Sequence, residues 1–110
     1  MDFEKIWNRI LVEASDGTME VCTVPSGSRS PLWFSIYKEG EYLFVDRAKD
    51  KKPSSKMSMP RRISKKDFMT AAEYYERWAN GERELKQKAT ERSQNTSYTF
   101  GLIAHYSKQD

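Results

Sequence analysis

Cysteine and histidine are the scarcest reactive residues of this sequence, with one of each, and this scarcity excludes several kinds of site. Cys22 has no second thiol to pair with, so an internal disulfide and a zinc site built from cysteines are excluded. A nucleophile–base pair or a histidine-based metal site would need His105, and no H-E-x-x-H pattern surrounds it. We expect Cys22 to be a buried strand residue and His105 to be structural or exposed. The sequence therefore predicts no catalytic residue, no metal, no cofactor and no small-molecule substrate, and favours a protein that is not an enzyme.

Long apolar runs are absent as well. A membrane-spanning helix needs about 20 consecutive apolar residues, and no stretch of this sequence approaches that length. The first residues begin an amphipathic pattern instead of the basic and then apolar order of a secretory signal. Together with the single cysteine, which suits a reducing compartment, these features predict a cytoplasmic protein that has no membrane partner.

Apolar residues are few, at 37% of the chain, but many of them are large. The chain has three Trp, six Tyr and five Phe. Because each aromatic side chain buries about 150–250 Å², a core needs few of them. A chain of 110 residues buries roughly two thirds of the surface that its unfolded form exposes. We therefore predict a single domain over residues 1–110.

The positive charge of the sequence is concentrated in one segment. Residues 47–66 contain nine lysine and arginine residues and only one acid, Asp50. This segment therefore carries +8, and the net charge of +3 for the whole chain leaves −5 for the other ninety residues. Such localised charge is typical of an anion-binding segment and not of a general aid to solubility.

Two helices are predicted from the spacing of apolar residues and from their capping residues. Residues 2–15 have apolar side chains at the i, i+3, i+4, i+7 spacing of one helix face, and Asp2 is a suitable N-cap. Residues 64–80 show the same periodicity. Ser64 with Asp67 three positions later resembles a capping box, with Asp in place of Glu or Gln.

Three strands are predicted between these helices, at residues 19–24, 32–38 and 42–46. The second of them alternates between two sets of large side chains, so both of its faces are bulky. The turn that contains Gly40 is short, so the second and third strands should form an antiparallel hairpin. The following stretch, residues 47–63, shows no periodicity and is predicted to be a long basic loop.

Two stretches near the C-terminus leave alternatives open. Residues 82–92 are polar nearly all round and form either a solvated helix or a flexible connector. Residues 98–106 fit the helical period and the strand period equally well. Because residues 95–97 offer side chains that can cap a helix, a helix is favoured there.

The predicted fold class is therefore α+β. We expect an N-terminal helix, a three-stranded antiparallel sheet, and then two C-terminal helices, with the helices packed on one face of the sheet. The residues expected to form the core are Trp7, Ile10, Phe34, Ile36, Phe68, Tyr75 and Trp78.

The basic segment leaves two alternatives open: a loop that binds nucleic acid, and a solubilising loop whose neighbouring aromatic residues all face the core. Lysine and arginine on a loop can neutralise phosphates without a precise fold. Basic residues in the first turn of a helix are unfavourable beside the positive end of its dipole, unless an anion docks there. Aromatic residues of the neighbouring hairpin could stack on bases if they are exposed. The predicted nucleic-acid-binding residues are Lys49, Lys51, Lys52, Lys56, Arg61, Arg62, Lys65 and Lys66.

The alternative is a protein-interaction or self-associating module. The hairpin has large side chains on both faces, and a domain with so few helices can cover only one of them. An uncovered hairpin face and the last helix would then bury Trp33, Tyr37 and Phe100 against a partner. The expected partner is a second copy of the chain, in a homodimer.

Three stretches carry a resemblance to known proteins: FEKIW at 3–7, RISKKDF at 62–68 and NTSYTFGLI at 95–103. In this order they resemble small uncharacterised bacterial proteins and accessory domains found with mobile genetic elements, including integron gene cassettes. In those proteins the serine–tyrosine stretch begins a C-terminal helix, which adds to the expectation of a helix at 98–106. The resemblance implies a bacterial or phage accessory protein associated with DNA, and it implies no catalytic residue.

Overall fold

The computed structural model describes residues 2–24, 30–82 and 95–107. Its elements in chain order are α1 (Phe3–Ser15), β1 (Met19–Cys22), β2 (Trp33–Glu39), β3 (Tyr42–Arg47), β4 (Arg61–Ile63), α2 (Lys65–Ala79) and α3 (Thr96–Ser107). This order confirms the predicted α+β class. The polar stretch predicted at 82–92 lies, beyond Glu82, outside the described residues.

The sheet has four antiparallel strands in the order β1-β2-β3-β4, one more than predicted. The additional strand, β4, falls inside the stretch 47–63 that was predicted to be a loop, and Arg47 belongs to β3. Three residues are too few to show an alternating pattern, and two of these three are arginine. The strand is fixed by its register, which pairs Ile63 with Leu43 and places both side chains in the core. The basic loop is therefore limited to residues 48–60.

One face of the sheet forms the core together with the helices. α1 packs on β2, α3 packs on β1, and α2 lies against α1 and α3. Because side chains alternate along a strand, every second residue points to this face. The buried sheet side chains on it are Val21, Phe34, Ile36, Leu43, Val45 and Ile63. All seven core residues predicted from the sequence are buried.

Both predicted helix starts are present in the structure. The Asp2 carboxylate accepts a hydrogen bond from the backbone N–H of Lys5 at 3.1 Å. Ser64 Oγ accepts one from the backbone N–H of Asp67 at 3.0 Å. In each helix the cap satisfies a donor that has no partner within the first turn. These local signals are why α1 and α2 could be placed from the sequence.

The stretch that fitted two periods, residues 98–106, is the helix α3. Most of its twelve residues are buried, so it has no polar face, and this is why its periodicity did not distinguish helix from strand. Gly101 allows α3 to approach β1 closely. A Cβ at this position would lie 2.6 Å from the carbonyl oxygen of Cys22.

Phe100 belongs to the core of the chain, which corrects its predicted place in an interface. Its ring centroid lies 5.3 Å from that of Tyr75 and 5.2 Å from that of Trp78. Phe100 has no exposed surface. Because α3 is packed against both α2 and β1, this side chain serves the fold and is not available to a partner.

We expect the substitution Ser64→Ala to lower the free energy of unfolding by about 1 kcal/mol, because the Asp67 N–H loses its acceptor. Ile63 and Phe68, on either side of this cap, are fully buried, so the helix start is tied to the core. Chemical denaturation monitored by circular dichroism measures the change. The control is Ser58→Ala on the exposed part of the loop, which should leave stability unchanged. Equal stabilities of the two variants would contradict the role of the cap.

Candidate functional site

The sheet face opposite the helices, which we call the open face, carries four aromatic side chains. Strand alternation places Trp33 and Tyr37 of β2 there, with Tyr42 and Phe44 of β3. The rings of Tyr37 and Phe44 stack, with centroids 5.6 Å apart and planes inclined by 13°. Tyr42 is 50% exposed, and the other three are partly exposed. The open face consists of the side chains of Glu20, Cys22, Trp33, Ser35, Tyr37, Glu39, Tyr42, Phe44, Asp46 and Arg62.

Two of the predicted nucleic-acid-binding cations lie against rings of the open face. The guanidinium carbon of Arg62 is 4.7 Å from the ring centroid of Tyr42. The ammonium nitrogen of Lys51 is 4.9 Å from the ring centroid of Trp33. At exposed sites such cation–π contacts contribute about 0.5–1 kcal/mol and orient the cation. All nine basic residues of the segment 47–66 are exposed, so these charges remain accessible to an anion.

Neighbouring arginines of β4 lie on opposite sides of the sheet. Arg62 faces the open side, whereas the guanidinium of Arg61 lies 6.0 Å from the ring centroid of Tyr98 in α3, on the helical side. The ammonium group of Lys65 is also turned to the helices, since it lies 2.8 Å from a carboxylate oxygen of Glu4. Two further predicted cations are exposed, Lys56 in the second half of the loop and Lys66 in the first turn of α2.

Two lysines of the loop border shallow cavities next to the open face. Lys49 lines a cavity of about 320 Å³ together with Ser35, Tyr37 and Asp46. Lys49 and Lys52 line a neighbouring cavity of about 410 Å³. Burial raises the pKa of the Tyr37 phenol, and the negative charge of Asp46 adds to this effect. The phenol therefore stays neutral at physiological pH and keeps its ability to donate a hydrogen bond.

The loop is attached to the open face through Glu20, a residue that sequence reasoning missed. Its carboxylate accepts backbone N–H hydrogen bonds from Lys49 at 2.8 Å, Asp50 at 3.0 Å and Lys51 at 2.8 Å. The N–H of Asp50 above all, and those of its two neighbours, lower the pKa of Glu20. These partners are 29 to 31 residues away in the chain. No local sequence pattern points to such a contact.

The second half of the loop is attached to β2 and to α3. The backbone N–H of Trp33 donates to the carbonyl of Pro53 at 2.8 Å, and the N–H of Ser55 donates to the carbonyl of Trp33 at 2.7 Å. The hydroxyl groups of Ser55 and Tyr98 are hydrogen-bonded at 2.9 Å. This part of the loop therefore continues the sheet beyond the end of β3 and holds its position beside Trp33.

The only cysteine and the only histidine line one groove of about 440 Å³. Cys22 lies in β1 as predicted but is only partly buried, and His105 is partly exposed on α3. Trp33 and Lys51 line the same groove. Glu20 is the carboxylate among the described residues that line the groove, and both of its oxygens accept hydrogen bonds from the loop.

The described residues contain no group of three or more His, Cys, Asp or Glu side chains that could hold a metal ion. In the same ranges, no helix is both long and apolar enough to cross a bilayer.

Comparisons of the chain with protein-family models, with curated proteins and with solved structures found no match. The resemblance to accessory proteins of mobile genetic elements therefore stays a prediction. Any functional inference for this chain depends on its own geometry, and above all on the open face and the loop that borders it.

We expect the contact between Glu20 and the loop to be complete above pH 4.5, the usual pKa of a glutamate, and to break at lower pH. The sign follows because the N–H groups bind the charged form and lower the folded-state pKa, so the contact persists until the pH falls through that lower value. NMR titration of the Glu20 carboxyl and of the Lys49, Asp50 and Lys51 amides should give one shared midpoint below 4.5.

The control for this titration is Glu20→Gln, whose neutral side chain cannot titrate in this range. The step should then disappear from the three loop amides. A Glu20 midpoint at or above 4.5, or amides that do not respond to it, would contradict the contact.

Proposed function

We propose that this protein is a small, non-enzymatic accessory protein that binds single-stranded nucleic acid across its open face. The observation that carries the proposal is the arrangement of aromatic rings and cations on that face. Tyr37 and Phe44 are stacked side by side, and Arg62 and Lys51 lie over the neighbouring rings of Tyr42 and Trp33.

The rings favour unpaired bases over a duplex. Bases of a single strand can be splayed and stacked on aromatic side chains, whereas in a duplex their faces are already stacked on one another. Trp33 and Tyr37 are four residues apart on β2, which corresponds to about 13 Å along a strand. The open face therefore offers two separate positions along β2 where a base could stack, one at Trp33 and one at Tyr37, whose ring lies beside that of Phe44.

The cations at the borders of the open face are placed to bind the phosphate backbone of a single-stranded nucleic acid. Lys49, Lys51 and Lys52 lie at one border and Arg62 at the opposite one, on the edge strand β4. A phosphate backbone that crosses the face between these borders would meet cations at both ends. The other ninety residues sum to −5, and three of their acids, Glu20, Glu39 and Asp46, lie on the open face itself, so the favourable charge is confined to its borders.

We propose that this protein belongs to a bacterial or phage mobile element and that it acts in the cytoplasm. The sequence resemblance supports the first, and the single cysteine supports the second.

A homodimer formed through the open face is the second candidate. It is favoured by the same partly exposed rings, since Trp33, Tyr37 and Tyr42 form an aromatic surface of the kind that partners bury. Phe100 has no part in it, because it lies in the core.

We expect Arg62→Ala to weaken binding to a labelled single-stranded oligonucleotide much more than Arg61→Ala does. Both changes remove one charge from adjacent positions of β4, but only Arg62 lies on the open face. Fluorescence anisotropy at several salt concentrations measures the effect. For each phosphate of the single strand that a variant no longer neutralises, the slope of log affinity against log salt should flatten by about 0.7.

Equal losses of affinity in the two arginine variants would indicate that the segment acts through its total charge and not through the open face. No complex at about 50 mM salt would reject nucleic-acid binding. If light scattering of the same samples then shows a dimer that Arg62→Ala leaves intact and Tyr42→Ala dissociates, the self-association candidate replaces it.

We also expect Tyr42→Leu to weaken the oligonucleotide complex by about fivefold or more, because stacking of one base on an aromatic ring contributes about 1–3 kcal/mol. The matched control is Tyr42→Phe, which keeps the ring and should bind like the parent protein. Tyr42 is half exposed, so neither change should unfold the chain, and thermal unfolding verifies this. Equal affinities of the Leu and Phe variants would contradict base stacking at this position.

A further inference from the structure

The contact between Glu20 and the loop has the form of an occupied anion site. Three successive backbone N–H groups, those of Lys49, Asp50 and Lys51, converge on one carboxylate at 2.8 to 3.0 Å. Concave sets of successive N–H groups of this kind are a recurrent way in which proteins bind phosphate oxygens. We infer that these N–H groups are a phosphate-binding site, and that the Glu20 carboxylate occupies it until a phosphate of nucleic acid displaces it.

The chemistry of the present occupant supports a phosphate. One carboxylate oxygen of Glu20 accepts two of the N–H groups and the other accepts the third. A phosphate group also presents two or more anionic oxygens to neighbouring donors. The loop therefore holds a negatively charged group with oxygen acceptors at this point, and the protein itself supplies that group in the free state.

The positive charge of the loop around the site is larger than the charge of the Glu20 carboxylate that it neutralises. Lys49, Lys51 and Lys52 are all exposed within four residues of the chain, against Asp50 and Glu20. The positive charge of Lys51 acts directly on Glu20, whose pKa it helps to lower. A phosphodiester that replaces the Glu20 carboxylate would meet the same three N–H groups and the charge of Lys51.

Hydrogen bonds that do not involve Glu20 hold the loop backbone on both sides of the three N–H groups. The backbone N–H of Ala48 donates to Ser54 Oγ at 2.9 Å, which closes the loop just outside the three N–H groups. Trp33 holds the following residues through hydrogen bonds to Pro53 and Ser55. With both ends held in this way, the N–H groups of residues 49–51 remain close together after the carboxylate leaves.

This arrangement makes Glu20 an internal competitor. The carboxylate is part of the chain, so its effective concentration at the site is high. The apparent affinity of an external phosphate equals its intrinsic affinity multiplied by the fraction of time that the site is vacant, so Glu20 lowers it. A single phosphate is then bound weakly, whereas a nucleic-acid strand, which also contacts the rings and Arg62, can displace the carboxylate. The inference rests on the proposed function for the identity of that strand.

The test compares Glu20→Ala with Glu39→Ala. Both residues lie on the open face and carry one negative charge, but only Glu20 contacts the loop N–H groups. The first probe is inorganic phosphate, followed at the backbone amides of residues 49–51 by NMR. The second probe is the single-stranded oligonucleotide, at constant ionic strength.

We expect Glu20→Ala to lower the phosphate concentration for half-saturation of these amides by about tenfold or more relative to Glu39→Ala. Glu20→Gln, which keeps one weaker acceptor, should lie between Glu20→Ala and the parent protein. Oligonucleotide affinity should rise in Glu20→Ala by more than in Glu39→Ala, because the competitor is gone.

Three results would overturn the inference. Equal phosphate binding in the Ala variants of Glu20 and Glu39 would show that only overall charge matters. Weaker binding of phosphate in Glu20→Ala, with loop amides moved to unfolded positions, would show that Glu20 is a structural clamp. Phosphate shifts spread over all lysines, without saturation at residues 49–51, would show that the N–H groups are no site. Phosphate saturation without oligonucleotide binding would instead reject the proposed function and keep the site.

Discussion

The alternation of side chains along β2 is the constraint on which both the core and the open face depend. Phe34 and Ile36 point into the core and have no exposed surface. Trp33 and Tyr37 must then lie on the opposite face, because neighbours along a strand point in opposite directions. A register shift by one residue would exchange these sets and bury the wrong ones. The burial of Phe34 and Ile36 in the core therefore determines which aromatic residues of β2 lie on the open face.

The same strand also positions the basic loop. β3 pairs with β2 only as far as Arg47 opposite Phe34. Beyond that point the backbone of Trp33 hydrogen-bonds to Pro53 and Ser55 of the loop. A segment with so many like charges would repel itself if it were condensed without compensation. The Glu20 carboxylate and the electron-rich face of Trp33 supply that compensation next to Lys51, at the place where the loop meets the open face.

Sequence reasoning succeeded where the signal is local and failed where it is not. The caps at Asp2 and Ser64 are short patterns, and both appear in the structure. β4 was missed because its pairing with β3 is established by one core residue, Ile63, beside two arginines. Phe100 was predicted to lie in an interface because most residues of α3 are apolar and buried, so its sequence did not show which side faces the core. The Glu20 contact joins segments about thirty residues apart, and no pattern of residue types encodes it.

The structure also changes what the charge of the basic segment means. A net charge of +8 over residues 47–66 suggests eight equivalent phosphate contacts when only the sequence is considered. The strand register places these cations on both sides of the sheet. Arg61 and Arg62 are adjacent in the chain, but they lie on opposite sides. Lys65 is already engaged with Glu4. Salt dependence counts only the phosphates that are neutralised at the same time. On the proposed binding mode, the number of phosphate contacts would therefore be set by the cations that border the open face, and it would be smaller than the charge of the segment.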